Sequence, residues 1–112
     1  MDYGPGAFRG INLQGNERVR RIFTAWMEPF RDLGMTTITI QSVGSTDHVP
    51  FNTAGLPAFQ FLQDAVGMGG HSNMDFFDNL VPEDLMKNSV IMASFAYHAA
   101  MSDHKIPRKP ME

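Results

Sequence analysis

Two short runs in this chain hold side chains able to move protons or bind a metal. Asp47 and His48 lie in Gly44-Ser45-Thr46-Asp47-His48-Val49-Pro50-Phe51, and His71 and Asp75 bound the run His71-Ser72-Asn73-Met74-Asp75. Imidazole and carboxylate act as general acids and bases and as zinc ligands. Both runs are marked by Gly or Pro as loops, where binding and catalytic groups concentrate. Each residue also has an ordinary reading. Asp47 can cap the turn before Pro50, His48 can be a packing or hydrogen-bonding residue, and His71 a structural or solvated loop histidine. His98 and His104 read as helix-surface residues.

The elements that must carry these groups follow from the apolar pattern. Phe8 to Leu13 alternates loosely and reads as a short strand. Asn16 is placed to cap a helix, with Glu17 in its positive first turn. Val19, Ile22, Phe23, Trp26, Met27, Phe30 and Leu33 follow at helical spacing, leaving Arg18, Arg20 and Arg21 on a solvated face. Pro29 predicts a kink, and Gly34 a stop. Thr36 to Val43 is β-branched and alternating, hence a strand. Residues 47–55 read as a loop with one helical turn. Ala58 to Asp64 is apolar enough to suggest the central strand. Pro82 opens a last helix running to about Asp103, with Glu83 and Asp84 at its N-terminus. That helix is apolar nearly all round, so more than one of its faces should be covered. The order predicts an α/β fold: a small mixed sheet of about three strands flanked by two long helices, one packed on each side.

Size and charge narrow the function. At 112 residues the chain is one domain, with residues 105–112 as a terminal tail. A net charge of −3 argues against a nucleic-acid footprint, which needs a basic face. Without cysteine, disulfides and thiolate metal sites are excluded, and the compartment stays open. Met1-Asp2-Tyr3-Gly4 does not begin a signal peptide, and no apolar run approaches the ~18 residues of a membrane span.

The quoted runs, joined as "GSTDHVPFNTAGLPAFQFLQD" and "HSNMD" with a long helix after them, resemble the C-terminal part of the zinc aminopeptidase and glutamate-carboxypeptidase-like family. Glutaminyl cyclases share that phosphorylase/hydrolase-like fold. The resemblance extends through "GINLQGNE" and "KIPRKP". It implies that His71 is the last metal ligand of a di-zinc site and that Asp75 supports its loop. It further implies that Asp47 and His48 are a polar pair near the catalytic centre, and that Asp2 in "MDYGPG" is a metal-binding aspartate.

The same resemblance shows what the family uses and this chain lacks. A His-x-Asp pair, whose aspartate bridges the metals, is missing. So is a Glu-Glu pair, which supplies the general base and another ligand. The glutamates present are Glu17, Glu28, Glu83 and Glu112, none adjacent to another. In the family's arrangement Asp2 and His71 serve different ions, leaving one ligand per zinc where three are usual. The expectation is therefore a single partial domain, 1–112, of a peptidase that binds no zinc alone and hydrolyses peptides only when an N-terminal half completes it. The alternative is a non-catalytic structural or binding module that self-associates as a homo-oligomer, because uncovered sheet edges and apolar faces invite pairing.

Overall fold

The computed structural model describes residues 4–65, 73 and 76–110. Strand β1, Phe8–Asn12, is the middle of a three-stranded sheet. Strand β2, Thr37–Thr39, runs parallel to it, with Ile11 opposite Ile38. Strand β3, Gln60–Gln63, runs antiparallel on the other side, with Ile11 opposite Phe61 and Asn12 opposite Gln60. The small mixed α/β architecture is as expected; the place of β3 is not. The apolar character of Ala58 to Asp64 comes from Phe59 and Phe61, which cover an aromatic cluster on one face, and not from pairing on both edges. The strand expected from Phe8 to Leu13 forms as β1, but its middle position was hidden by Arg9, which is exposed at an irregularity in the ladder between Phe8 and Gly10.

That irregularity decides which way β1 faces. Phe8 and Ile11 stand three apart and would point to opposite sides of a regular strand. One extra residue in β1 turns them to the same side. Phe8 stacks on Phe61 at 4.4 Å between ring centroids, and Phe61 is the cross-strand neighbour of Ile11.

The helices lie over this one face. Helix α1, Arg20–Met27, follows a 3₁₀ turn at Glu17–Val19. Val19, Phe23 and Met27, at i, i+4 and i+8, form its buried stripe. Helix α3, Pro82–Met101, buries Asn88, Ile91 and Phe95. Phe23 meets Phe59 edge-on at 4.8 Å and Phe95 at 5.6 Å, and Phe61 meets Phe95 at 5.1 Å. Since Phe59 and Phe61 share the Ile11 side, α1 and α3 pack on the same face and against each other, not one on each side as the sequence suggested. Such ring pairs add ~0.5–1.5 kcal/mol each beyond the area they bury.

Two further differences have local causes. Pro29 does not kink a continuous helix: α1 stops at Met27, and Pro29 enters the first turn of a 3₁₀ segment, Glu28–Leu33, where its missing N–H costs little. Gly34 then ends the segment in the left-handed region at φ 93°, as its position foretold. The ladder of β2 stops at Thr39, although backbone hydrogen bonds continue from Leu13 N to Thr39 O, Gln14 N to Gln41 O and Gly15 N to Ile40 O. Positive φ at Gln14 (52°) and Gly15 (74°) twists that stretch out of regular strand geometry. Helix α2, His48–Thr53, is the expected single helical stretch in the loop. Among the described residues no helix is long and apolar enough to cross a membrane.

Candidate functional site

Strand β3 has two ends, and the sequence-predicted site residues divide between them. Its start, Gln60, lies against the Thr46–His48 loop. Its end, Gln63 and Asp64, lies against Gly4 to Ala7. Four residues at ~3.3 Å each separate the two by ~13 Å.

At the start, His48 is buried and both ring nitrogens are engaged. Nε2 lies 3.0 Å from the carbonyl oxygen of Val43, and Nδ1 lies 2.7 Å from Thr46 Oγ1. A carbonyl only accepts, so Nε2 carries the hydrogen it donates. Nδ1 is hydrogen-bonded to the Thr46 hydroxyl, whose oxygen is also 3.0 Å from Gln60 Oε1. Neither nitrogen keeps a lone pair for a metal. The hydrogen-bonding reading of His48 is the one realised.

Val43 is held from a second direction. Gln14 donates from Nε2 to Val43 O at 3.0 Å and accepts from Val43 N at 2.7 Å. Its side chain thus replaces a strand neighbour where the β2 ladder has ended. Lys109 donates to Gln14 O at 3.0 Å, and Asn16 Nδ2 donates to Pro107 O at 2.7 Å. The polypeptide after α3 is thereby tied to this end of the sheet. Asn16 stands where a cap was expected, but its side chain makes no cap hydrogen bond and reaches Pro107 instead. Asp47 precedes α2, is exposed, and likewise makes no side-chain cap bond. The cleft beside it, about 210 Å³ and lined by Phe8, Thr46, Asp47, His48, Phe59, Gln60, Phe61 and Met92, is smaller than most ligand pockets.

At the other end, the chemistry is a backbone clamp. Asn88, 1% exposed in the middle of α3, accepts from Phe8 N at 2.7 Å and donates to Gly6 O at 2.9 Å. Gln63 Nε2 donates to Gly4 O at 2.8 Å and Gly6 O at 2.9 Å. Asp64 N donates to Ala7 O at 2.9 Å. Gly6 packs so closely on Asp64 that a Cβ there would overlap the Asp64 carbonyl. Outside the clamp, Arg9 grips Asp64 with Nε and Nη2 at 2.7–2.9 Å. Those hydrogen bonds, more than the opposite charge, hold the Asp64 carboxyl below its ordinary range.

Asp2, His71 and Asp75 lie outside the described residues. What the structure does give is the setting of their neighbours. Gly4 follows Asp2 by two residues, and Asp64 precedes the His71 segment. Both sit at the clamped end of β3, whereas Asp47 and His48 sit at its start. Among the described residues no three His, Asp or Glu side chains converge where a metal could be held.

Asn88 and Gln14 were missed by sequence reasoning. Asn88 had a signal: it stands on the stripe of Ile91 and Phe95, where a polar side chain must find a partner. Gln14 precedes a glycine at a strand end, a place that favours left-handed backbone. His98 is more than a surface residue, since it stacks on Trp26 with centroids 5.6 Å apart. The cleft there, about 400 Å³, is lined by Trp26, His98, His104 and Lys105 and holds no carboxylate.

Comparison of the chain with models of known protein families, with curated proteins and with solved structures finds no match in any of the three.

Proposed function

We propose that this chain is a C-terminal part of a zinc-exopeptidase-like catalytic domain, in which Asp2 and His71 face the metals and Asp75 supports the His71 loop. In this reading zinc, when held, polarises a peptide carbonyl and supplies hydroxide. The chain itself provides the rigid base from which the ligand-bearing segments leave. It hydrolyses nothing alone, because the bridging aspartate and the Glu-Glu pair must come from an N-terminal half.

The observation that supports the reading is the clamp. The segment next to Asp2 and the strand leading to His71 are fixed to each other through Gly6, Asp64, Gln63 and Asn88. Two ligands borne on adjacent, rigidly joined segments need little further ordering to meet at one site. His48 then has a different part: it fixes the loop at the far end of β3, and neither it nor Asp47 touches a metal.

Zinc titration of isotope-labelled protein, followed by amide NMR, tests this. Shifts at Gly4, Gly6, Asp64 and Asn73 are expected only when a half bearing His-x-Asp and Glu-Glu is present, weakened in Asp2→Ala and in His71→Ala and retained in His48→Ala. Shifts confined to the neighbourhoods of His48, His98 or His104 would sink the reading. An aminoacyl anilide should stay intact with the chain and zinc alone and be cleaved once a half bearing His-x-Asp and Glu-Glu is added. A second reading, the self-associating module, is favoured by the uncovered outer face of α3.

A further inference from the structure

Helix α3 covers the core with one side only. Opposite Asn88, Ile91 and Phe95, its outward side carries Met86, Val90, Tyr97 and Met101, which are 64%, 57%, 61% and 65% exposed. Ala93 and Ala100, also exposed, lie between them. Positions 86, 90, 93, 97 and 101 fall on one stripe at spacings of four and three. No Asp, Glu, Lys or Arg occurs from Asn88 to Ser102. A helix face in permanent contact with water is ordinarily charged.

We propose that this stripe is the interface of a homodimer in which α3 packs antiparallel on α3 of a second copy, about a two-fold axis between Ala93 and Ser94. The inference rests on α3 alone and stands whether or not the zinc-site reading does.

Three features favour a second copy over other occupants. The stripe is self-complementary under a two-fold axis: Met86 meets Met101 of the other copy, and Val90 meets Tyr97. The large Tyr97 therefore faces the smaller Val90, the flexible Met86 and Met101 face each other, and Ala93 at the centre allows close approach in an isologous interface. Charge agrees with the direction of packing. Parallel packing would set Glu83, in the exposed first turn, against Glu83 of the other copy, whereas the antiparallel direction keeps the two apart. Area is the third feature. Four side chains of roughly 200 Å² each, about six-tenths exposed, offer on the order of 500 Å² of apolar surface per copy. The flanks Glu83, Ser89, Ala93 and Ala100 extend this toward the ~800 Å² per partner of a standard interface.

Sedimentation velocity across about a hundredfold range of concentration tests the proposal, since dimerisation follows mass action. The unaltered chain is expected to pass from monomer to dimer within that range. Val90→Glu and Tyr97→Lys should each abolish the dimer at unchanged helical circular dichroism, because both sites point away from the core. Mixing the two variants should then restore a dimer, since in the antiparallel register each introduced acid meets the introduced base of the other chain. A chain that is monomeric throughout overturns the proposal, as does a dimer that survives both substitutions. Single-site disruption without rescue on mixing overturns the antiparallel register.

Discussion

The two ends of β3 solve different problems with similar groups. At its start, a histidine, a threonine and two glutamines are consumed in holding a loop: His48, Thr46, Gln14 and Gln60 all end on Val43 or on one another. At its end, Asn88 and Gln63 spend their amides on backbone carbonyls and an N–H of Gly4 to Phe8. The first end contains the residues that look chemical in the sequence, and the structure has engaged both ring nitrogens of His48 in hydrogen bonds. The second contains plain amides and glycines, and it joins the two segments from which Asp2 and His71 depart. A motif rich in functional side chains can be scaffold, while a patch with none can be the footing of a site.

This contrast can be broken from either side. Gly6→Ala should be the most damaging change at the clamp, because a methyl overlaps the Asp64 carbonyl and backbone must move; about 3 kcal/mol of stability should be lost, read by chemical denaturation. Asn88→Ala leaves Phe8 N and Gly6 O buried without their helix partner, which should cost about 2–3 kcal/mol. Hydrogen exchange should then quicken in residues 4–8 and stay unchanged at Thr46 to Thr53.

His48→Ala acts at the other end. Val43 O retains Gln14, so the loss is smaller, about 1–2 kcal/mol, and exchange should quicken at Val43 to His48 with the clamp untouched. Asp64→Asn is the mildest of the four. The Arg9–Asp64 pair is well exposed, so it should contribute only ~0.5 kcal/mol, less in high salt. Asp64 has its pKa lowered in the folded state, so its contribution is present above the ordinary carboxylate pKa of ~3.9. It is lost as pH falls through the lower folded value. The difference between the unaltered chain and Asp64→Asn should therefore be seen at pH 7 and vanish in strong acid.

Much of this frame was legible in the residues, because spacing is a local property. Val19, Phe23 and Met27 announced α1, Pro82 with Glu83 and Asp84 announced α3, and Gly34 announced its turn. What failed was long-range. Nothing in Ala58 to Asp64 says whether its apolar side chains cover a helix face or fill both edges of a sheet, and Arg9 disguised the central place of β1, though not the strand itself, because its partner, Asp64, is distant in the chain. Whether Phe8 joins the face that both helices cover depends on the extra residue near it, which is visible only once β1 and β3 are paired. The same limit holds at the site. Asp47-His48 could be found by type and spacing, yet only the positions of Val43 and Thr46 reveal that His48 has no lone pair to give.

On the proposed reading, the Asp2 and His71 segments belong together at the clamped end and apart from Asp47. The chain has no cysteine, so nitroxide labels can be placed at will by cysteine substitution at positions 2, 47 and 71. Pulsed electron resonance on labelled pairs, diluted with unlabelled chain, measures the two separations. The 2–71 distance should be the shorter, and 47–71 should exceed it by about the distance from Gln60 to Asp64, ~13 Å. A 47–71 distance shorter than 2–71 would contradict it.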